Sequence, residues 1–379
     1  MHKLLVFPGG TLCVRSLEAS GRERAAPCET GYPRVFASRL GTICASLVLP
    51  VKERAQERAL REEPDMPTVT SQHQSRIEAA LASGQAARSP IAASWARSAH
   101  LHGLDPVKRR VEPRLTAQEL ALVRERMGGL VATAAPHLDW LFQTIGGLGA
   151  CVVLADAEGI AVERRGNPSE DRDFAASGLW TGAVWSEAEA GTNGIGTCLA
   201  EGRAVTIHRD QHFLARNIGL TCTSAPVHDA GGQLAAVIDV STAEQDVSAA
   251  VLSLISQTVQ NTAHKVEADL FHAAFPKARV VLVPGGGTHG LAALVAVDED
   301  DLVIGATRGA RALLGLTADP AANPRPLADL LGLPVHERLE DAERAVLHRA
   351  LARASGNVSA ASRALGLSRA TLHRKLAKE

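Results

Sequence analysis

The chain has 379 residues, 46% of them apolar but only 3% aromatic, and a formal net charge of -1 at pH 7. That length allows two or three domains with aliphatic cores. The balanced charge excludes a chain that is basic throughout, so any nucleic-acid contact must come from a local cluster. No apolar run approaches the ~18 residues of a membrane helix, and Leu4-Leu5-Val6-Phe7 is too short for the core of a signal peptide. A cytoplasmic protein with no membrane contact is expected. The six cysteines, Cys13, Cys28, Cys44, Cys151, Cys198 and Cys222, form no CxxC pair. They imply neither a disulfide framework nor a zinc module.

Residues 1–65 carry three cysteines, many arginines and no sustained period. They are expected to be a disordered leader or no part of the native protein, with Met66 as the natural start. Helical spacing begins at Ser71 and runs to Leu101, broken between Gly84 and Pro90. Leu115 to Met127 forms another helix, opened by the capping-box spacing of Thr116 and Glu119, and the pattern continues toward Phe142. These elements define an N-terminal helical segment, 71–130.

The period changes at Ala150. Cys151 to Ala155 and the run from Ile160 flank the turn Asp156-Ala157-Glu158-Gly159, which predicts a hairpin. Arg203 to Ile207 is a further strand. Leu220 to Val227 and Gln233 to Val240 are joined by His228-Asp229-Ala230-Gly231-Gly232, a second hairpin. One long helix follows, Ala243 to Phe271. This order predicts a mostly antiparallel sheet flanked by helices, not a parallel βαβ layout, and sets a domain over 131–272. Val280 to Val283, Leu291 to Val297 and Leu302 to Thr307 are strands, Arg308 to Leu314 a short helix, and Pro320, Pro324 and Pro326 a loop, giving a segment over 273–335. The fold class is thus α+β and multidomain, ending in a three-helix unit over 336–379.

In that last unit, Asn357 and Ser368 are good N-caps and Gly366 allows a tight turn between the last two helices. Leu347, Leu351, Val358, Ala361, Leu365, Leu367, Leu372 and Leu376 supply a thin shared core. From Asp341 to Glu379 there are eight Lys/Arg against three Asp/Glu, so basic charge concentrates here. Ser359, Arg363, Ser368, Arg369, Thr371, His373, Arg374 and Lys375 place short donors and cations where a recognition helix meets DNA. Arg369 is expected at base edges and Lys375 at phosphate. Charge alone would fit a solvated three-helix cap; the helix-turn-helix spacing favours DNA.

Gly356-Asn357-Val358-Ser359-Ala360-Ala361, Leu365-Gly366-Leu367-Ser368-Arg369 and Leu372-His373-Arg374-Lys375-Leu376 resemble the Fis-type helix-turn-helix. The resemblance implies a DNA-binding unit made by the last two helices of a dimer.

Trp185-Ser186-Glu187, Gly191-Thr192-Asn193-Gly194-Ile195-Gly196-Thr197, His212-Phe213, Cys222 to Asp229 and Ile238-Asp239-Val240-Ser241 resemble the GAF domain of AcoR-like activators of acetoin and glycerol catabolism. Ser94-Trp95-Ala96-Arg97-Ser98 with Gly103-Leu104-Asp105-Pro106 resembles the N-terminal helical segment of that family. The resemblance implies an unidentified small-molecule effector over the face of the GAF sheet, with Trp185, Thr192, Asn193, Phe213, Cys222 and Asp239 as candidate ligand residues. Residues 288–315 resemble the opening of a PAS domain and are too short for a complete one.

Bland readings stand beside these. The glycines at 191, 194 and 196 serve equally as a turn and a close helix approach. Trp180 and Trp185 fit a core as well as a ligand stack. His208, His212, Cys222 and His228 lie on different elements without paired spacing, so no metal is expected, and Cys222 fits a buried strand thiol better than a redox sensor.

AcoR-like activators usually carry an AAA+ ATPase between sensor and DNA-binding domain. Here about sixty residues separate the long helix from the C-terminal unit, and no GxxxxGK[ST] loop occurs to cradle an ATP phosphate. Gly285-Gly286-Gly287-Thr288-His289-Gly290 satisfies GxGxxG after a strand. A dinucleotide-dependent oxidoreductase, however, needs a helix opening at the third glycine and an acidic residue ~20 positions on, and Asp298 comes only eight after Gly290. No cofactor is expected. A signal-responsive DNA-binding transcription regulator leads, ahead of an interaction module that partners a separate activator without touching DNA.

Overall fold

The computed structural model of the protein describes residues 3–6, 12–15, 69–108, 113–284, 293–334 and 338–377. The chain divides into two compact units, Met1–Met66 and Pro67–Glu379. In the first, β1 (Lys3–Val6) pairs antiparallel with β2 (Leu12–Arg15). The remainder of the stretch expected to be a leader lies outside the described residues.

The second unit opens with α1 (Val69–Ala82) and α2 (Pro90–Ala96), the latter extended by a π-turn through Leu101. Pro90 occupies the first helical position and Ser89 accepts from the Ala92 amide at 3.3 Å, a favourable start because neither residue wastes an intrahelical donor. Helix α3 (Ala117–Met127) carries the full Thr116–Glu119 capping box. The helix expected to run on is broken at Gly128, whose φ of +49° suits glycine alone, and α4 (Gly129–Ile145) starts afresh.

The sheet follows as β3 (Ala150–Asp156), β4 (Ala161–Arg165), then α5 (Asp171–Ala176), α6 (Glu187–Ala190), α7 (Gly194–Glu201), and β5 (Val205–His208), β6 (Thr221–His228) and β7 (Leu234–Thr242). It is antiparallel throughout, in the order β4-β3-β7-β6-β5. Side chains alternate along β3. Ala150, Val152 and Leu154 point to one face and Cys151, Val153 and Ala155 to the other, and all seven residues of the strand are buried. The first face packs on α4 and the long α8 (Ala249–Ala274) through Leu138, Leu141, Ile255, Val259 and Val266. Helix α8 starts six residues later than the apolar pattern predicts, because Ser248 caps it by accepting from Val251 N. The second face is covered by α5, α6, α7 and the loops around them.

Helices α1 and α2 pack beside this second face. Ile77, Trp95, Leu104, Phe213 and Leu214 form one cluster, and the Trp95 indole donates to the Gln211 carbonyl at 2.8 Å. Segments far apart in sequence thus share one core.

Beyond α8, β8 (Arg279–Leu282), β9 (Leu294–Val297), β10 (Leu302–Ala306) and β11 (Arg325–Pro326) form a second antiparallel sheet in the order β11-β10-β9-β8, with α9 (Arg308–Leu314) and α10 (Leu327–Leu330). The glycine run Gly285–Gly290 lies outside the described residues. The strands on either side of it, β8 and β9, are antiparallel neighbours, whereas a dinucleotide fold needs a parallel crossover there. The last elements are α11 (Leu339–Arg353), α12 (Val358–Ala364) and α13 (Arg369–Leu376). No helix among the described residues is long and apolar enough to cross a membrane.

The join between α2 and the sheet domain rests on a buried carboxylate. Glu187 is 5% exposed and is bridged by Arg97 at 2.7 Å. Removing one partner of such a pair strands the other charge. Arg97→Ala should therefore cost on the order of 3 kcal/mol, measured by urea unfolding followed by tryptophan fluorescence. A loss within the error of a surface substitution would contradict this role.

Candidate functional site

Two places carry the chemistry picked out by sequence: the covered second face of the first sheet and the C-terminal helices.

On the sheet, all six candidate ligand residues are buried: Trp185, Thr192, Asn193, Phe213, Cys222 and Asp239. They fall into two groups with different work. Asn193 caps α7, its Oδ1 accepting from Gly196 N at 2.9 Å while its Nδ2 donates to the carbonyls of Trp185 at 3.0 Å and Gly191 at 2.7 Å. Thr192 Oγ1 lies 2.7 Å from Ser94 Oγ, and Ser94 donates to Glu187 at 2.5 Å. Phe213 is locked by its amide, which donates to Thr192 O at 3.1 Å, and by the absence of a side chain at Gly191, where a Cβ would lie 2.8 Å from the Phe213 Cβ. Trp185 donates to Gly178 O at 3.2 Å. These four residues, with Glu187, build the corner that holds α6 and α7. The glycines act here through close approach, as their bland reading has it. A Cβ on Gly196 would meet Trp185 O and Glu187 N at 2.6 Å.

Cys222 and Asp239 belong to a polar chain under the N-terminus of α7. Asp239 accepts from Ser224 Oγ at 2.5 Å and from Ser241 Oγ at 2.6 Å. Ser241 also lies 3.0 Å from Cys222 Sγ, and His212 Nε2 is 3.3 Å from the same sulfur. His212 Nδ1 sits 2.8 Å from the Arg209 carbonyl, which can only accept, so Nδ1 carries the proton and the Cys222 thiol donates to Nε2. Burial fixes these protonation states. It lowers His212 to about 4, raises the Cys222 thiol well above its ordinary range with Asp239 adding to the effect, and raises Asp239 to about 6 despite the two serine donors. A neutral thiol with 2% exposure is poorly placed for oxidation. Gly194 closes α7 onto this chain: a Cβ there would meet Asp239 Oδ1 and Ser224 Oγ at 2.6 Å.

The other residues weighed as metal ligands are engaged elsewhere. His208 Nδ1 lies 3.0 Å from Thr221 Oγ1, and His228 Nδ1 lies 2.7 Å from Glu267. Among the described residues, no three His, Cys, Asp or Glu side chains converge on one point. Sequence reasoning passed over Ser94, Arg97 and Glu187 as a set, and Arg164 altogether. Arg164 is only 9% exposed, pairs with Asp171 at 2.6 Å and has its guanidinium 4.6 Å from the Trp180 ring centre.

In the C-terminal unit, Leu347, Ala350, Ala361 and Leu372 form the core, with Leu351, Val358, Leu365, Leu367 and Leu376 packed around it. Asn357 Oδ1 accepts from Ser359 N and Ala360 N, and Ser368 Oγ accepts from Thr371 N at 3.1 Å, so both predicted caps are made. Gly366, at φ +63°, turns the chain between α12 and α13. Arg363, Ser368, Arg369, His373 and Arg374 are exposed, while Ser359 and Thr371 are half-buried. The Lys375 ammonium turns toward α11 and pairs with Glu343. The outward cations of α13 are Arg369 and Arg374.

The acid at the centre of the sheet carries a pH signature. Asp239 has its folded-state pKa above the ordinary 3.8, near 6. Its contribution therefore favours folding below about pH 4 and is lost as pH rises through 6. Asp239→Asn removes that loss. The stability of the variant relative to the parent should climb between pH 4 and pH 7, measured by urea unfolding at each pH; a pH-independent difference would contradict the assignment.

Comparison with known proteins agrees with this layout. Residues 68–261 match the family described as MimR, N-terminal domain, and residues 338–378 match the family described as bacterial regulatory protein, Fis family. The chain is 40% identical over 148 residues to the acetoin catabolism regulatory protein of Cupriavidus necator, covering 39% of this chain and 22% of that protein. It is 32% identical over 147 residues to the propane 2-monooxygenase operon transcriptional activator MimR of Mycolicibacterium smegmatis, covering 38% and 24%. It thus spans less than a quarter of the length of either relative. Among solved structures it is similar to a chain of the E. coli DhaR(N)-DhaL complex, at 18% identity and a TM-score of 0.45, covering 63% of this chain and 80% of that one. The first family match takes in α1 to α7, the whole first sheet and the start of α8, just over half of the sequence: the chain belongs to the family of the MimR N-terminal domain, and it ends in a helix-turn-helix of the Fis family.

Proposed function

We propose that this protein is a transcription regulator that binds operator DNA as a homodimer through α12 and α13 and answers to a small molecule held at the second face of its first sheet. The observation that carries the DNA reading is the geometry of α13. Its Ser368 cap sets the start of the helix, and its inward Leu372–Leu376 seam leaves Arg369, His373 and Arg374 exposed, the donors and cations a recognition helix offers to a major groove. The family matches and the names of the relatives, an acetoin catabolism regulatory protein and a propane 2-monooxygenase operon transcriptional activator, support the same reading. A non-enzymatic role follows from it. Between α8 and α11 the described elements are two short helices and a small sheet, and no phosphate-loop motif occurs in the sequence. Regulation would then proceed by occupying DNA or recruiting polymerase, without ATP-driven remodelling.

A dimer is part of the proposal. Reading a two-fold operator needs two recognition helices about one turn of DNA apart, ~34 Å, and the core of the C-terminal unit is thin. On the N-terminal half of α11, Leu339 is 91% and Val346 42% exposed, an apolar stripe that a second copy would cover. Light scattering should give a dimeric mass at micromolar concentration, and a monomeric mass with and without operator would contradict it.

The DNA test separates three cations. Arg369→Ala should cost ~1–3 kcal/mol on operator and relax base preference. Arg374→Ala should weaken operator and random DNA alike and lower the salt slope by ~1. Lys375→Ala should change affinity less than Arg374→Ala, because its charge is already partnered by Glu343. Shift assays at several salt concentrations decide between these. Unchanged affinity in all three variants with the fold intact by circular dichroism would overturn the DNA reading in favour of an interaction module.

A further inference from the structure

We infer that the effector held at the sensor face is a small carboxylate and that Arg164 is the residue that recognises it. This rests on the proposal that the face binds a small molecule and narrows its chemistry. Arg164 stands on β4 opposite Val153. Val153 belongs to the core of the covered face, so the arginine points into the same interior. Its side chain is 9% exposed, and its Nη1 donates to Asp171 at 2.6 Å. The other two nitrogens, Nε and Nη2, are buried with no oxygen acceptor, and the neutral Cys151 thiol neighbours the guanidinium. These two share one edge of the guanidinium, the edge that grips a carboxylate with two parallel N–H bonds. Leaving two charged donors unpaired in a protein interior is costly, and an acceptor with two oxygens in one plane relieves both at once.

The surroundings fit such a guest. The guanidinium lies 4.6 Å from the Trp180 ring centre and 5.4 Å from that of Phe174, so aromatic faces hold it flat. Gly166 lets the guanidinium pack close to the backbone: a Cβ there would lie 2.5 Å from Nη2. Asp171 only partly offsets the charge, since it is 38% exposed and screened by water while the free edge is not. Phe174 also lines a cavity of about 330 Å³ with Glu170, Arg216, Leu220 and Glu244. Arg164 does not itself line this cavity; Phe174 is the residue that touches both, and the cavity size suits a guest of a few carbons.

The test uses the full-length protein with acetate, propionate and butyrate as probes and the corresponding amides as uncharged isosteres. The carboxylates should raise the thermal midpoint and perturb tryptophan fluorescence, and the amides should do neither. Trp180→Phe should remove most of the fluorescence change while leaving the thermal shift. Arg164→Lys should weaken binding roughly tenfold or more, because a point charge cannot replace the planar fork. Asp171→Asn should tighten it, because a competing carboxylate is gone; this surface change keeps the test decisive even if substitutions of Arg164 fail to fold. Amides binding as well as acids, with affinity retained in Arg164→Lys, would overturn the carboxylate assignment and leave sensing at this face standing. No response to any carboxylate, or no tightening in Asp171→Asn, would also overturn it, whereas operator binding in the same preparation would keep the regulator reading.

Discussion

The buried Glu187 carboxylate is the constraint on which the fold around the first sheet depends. A charge at 5% exposure is tolerated only when its oxygens are fully engaged. Here Arg97 approaches both oxygens, at 2.7 and 2.9 Å, and Ser94 donates to one at 2.5 Å. Arg97 and Ser94 come from α2, and Glu187 opens α6. Satisfying the carboxylate therefore ties the N-terminal helices to the corner that presents Thr192, Asn193 and α7 to the sheet. Once α7 is seated, Gly194 presses on Asp239 and Ser224, and the polar chain from Ser224 to His212 is sealed from water. The low dielectric that moves the pKa values of Asp239, Cys222 and His212 follows from that closure.

Much of this fold was legible in the order of residues because it rests on local rules. The unbroken apolar run Cys151–Ala155 marks a strand buried on both faces, the Asp229–Gly232 turn marks the β6–β7 hairpin, and Thr116, Asn357 and Ser368 mark helix starts by their side-chain oxygens. What stayed hidden depends on partners distant in sequence. Ser94 and Glu187 are 93 residues apart, and nothing local distinguishes that glutamate from the half-buried Glu189 two positions on. Arg164 sits in Glu163-Arg164-Arg165, which resembles a solvated strand end; only the sheet register reveals that it points inward. The pairing of Lys375 on α13 with Glu343 on α11 joins residues 32 positions apart, and its place on α13 alone does not signal it.

The candidate ligand residues show the same division. Conformational demands in the Gly191–Thr197 segment are readable from its glycines, but their purpose is architectural: close packing and capping at a corner. Buried donors without a partner lie instead on side chains outside the motif, Arg164 and Asn217 among the described residues. At the other end, the C-terminal helices place their outward cations by helical geometry alone, and sequence spacing was enough to find Arg369 and Arg374.

The central claim is that α2, the α6–α7 corner and the first sheet form one cooperative body held by Glu187. Native-state hydrogen exchange tests it most directly, because amides that open together share one free energy of exchange. The account predicts that the slow amides of 90–101, 194–201 and 221–242 exchange with a common opening energy, and that Glu187→Gln lowers all three together. Opening of 90–101 at much lower energy, with the sheet unmoved by Glu187→Gln, would contradict it.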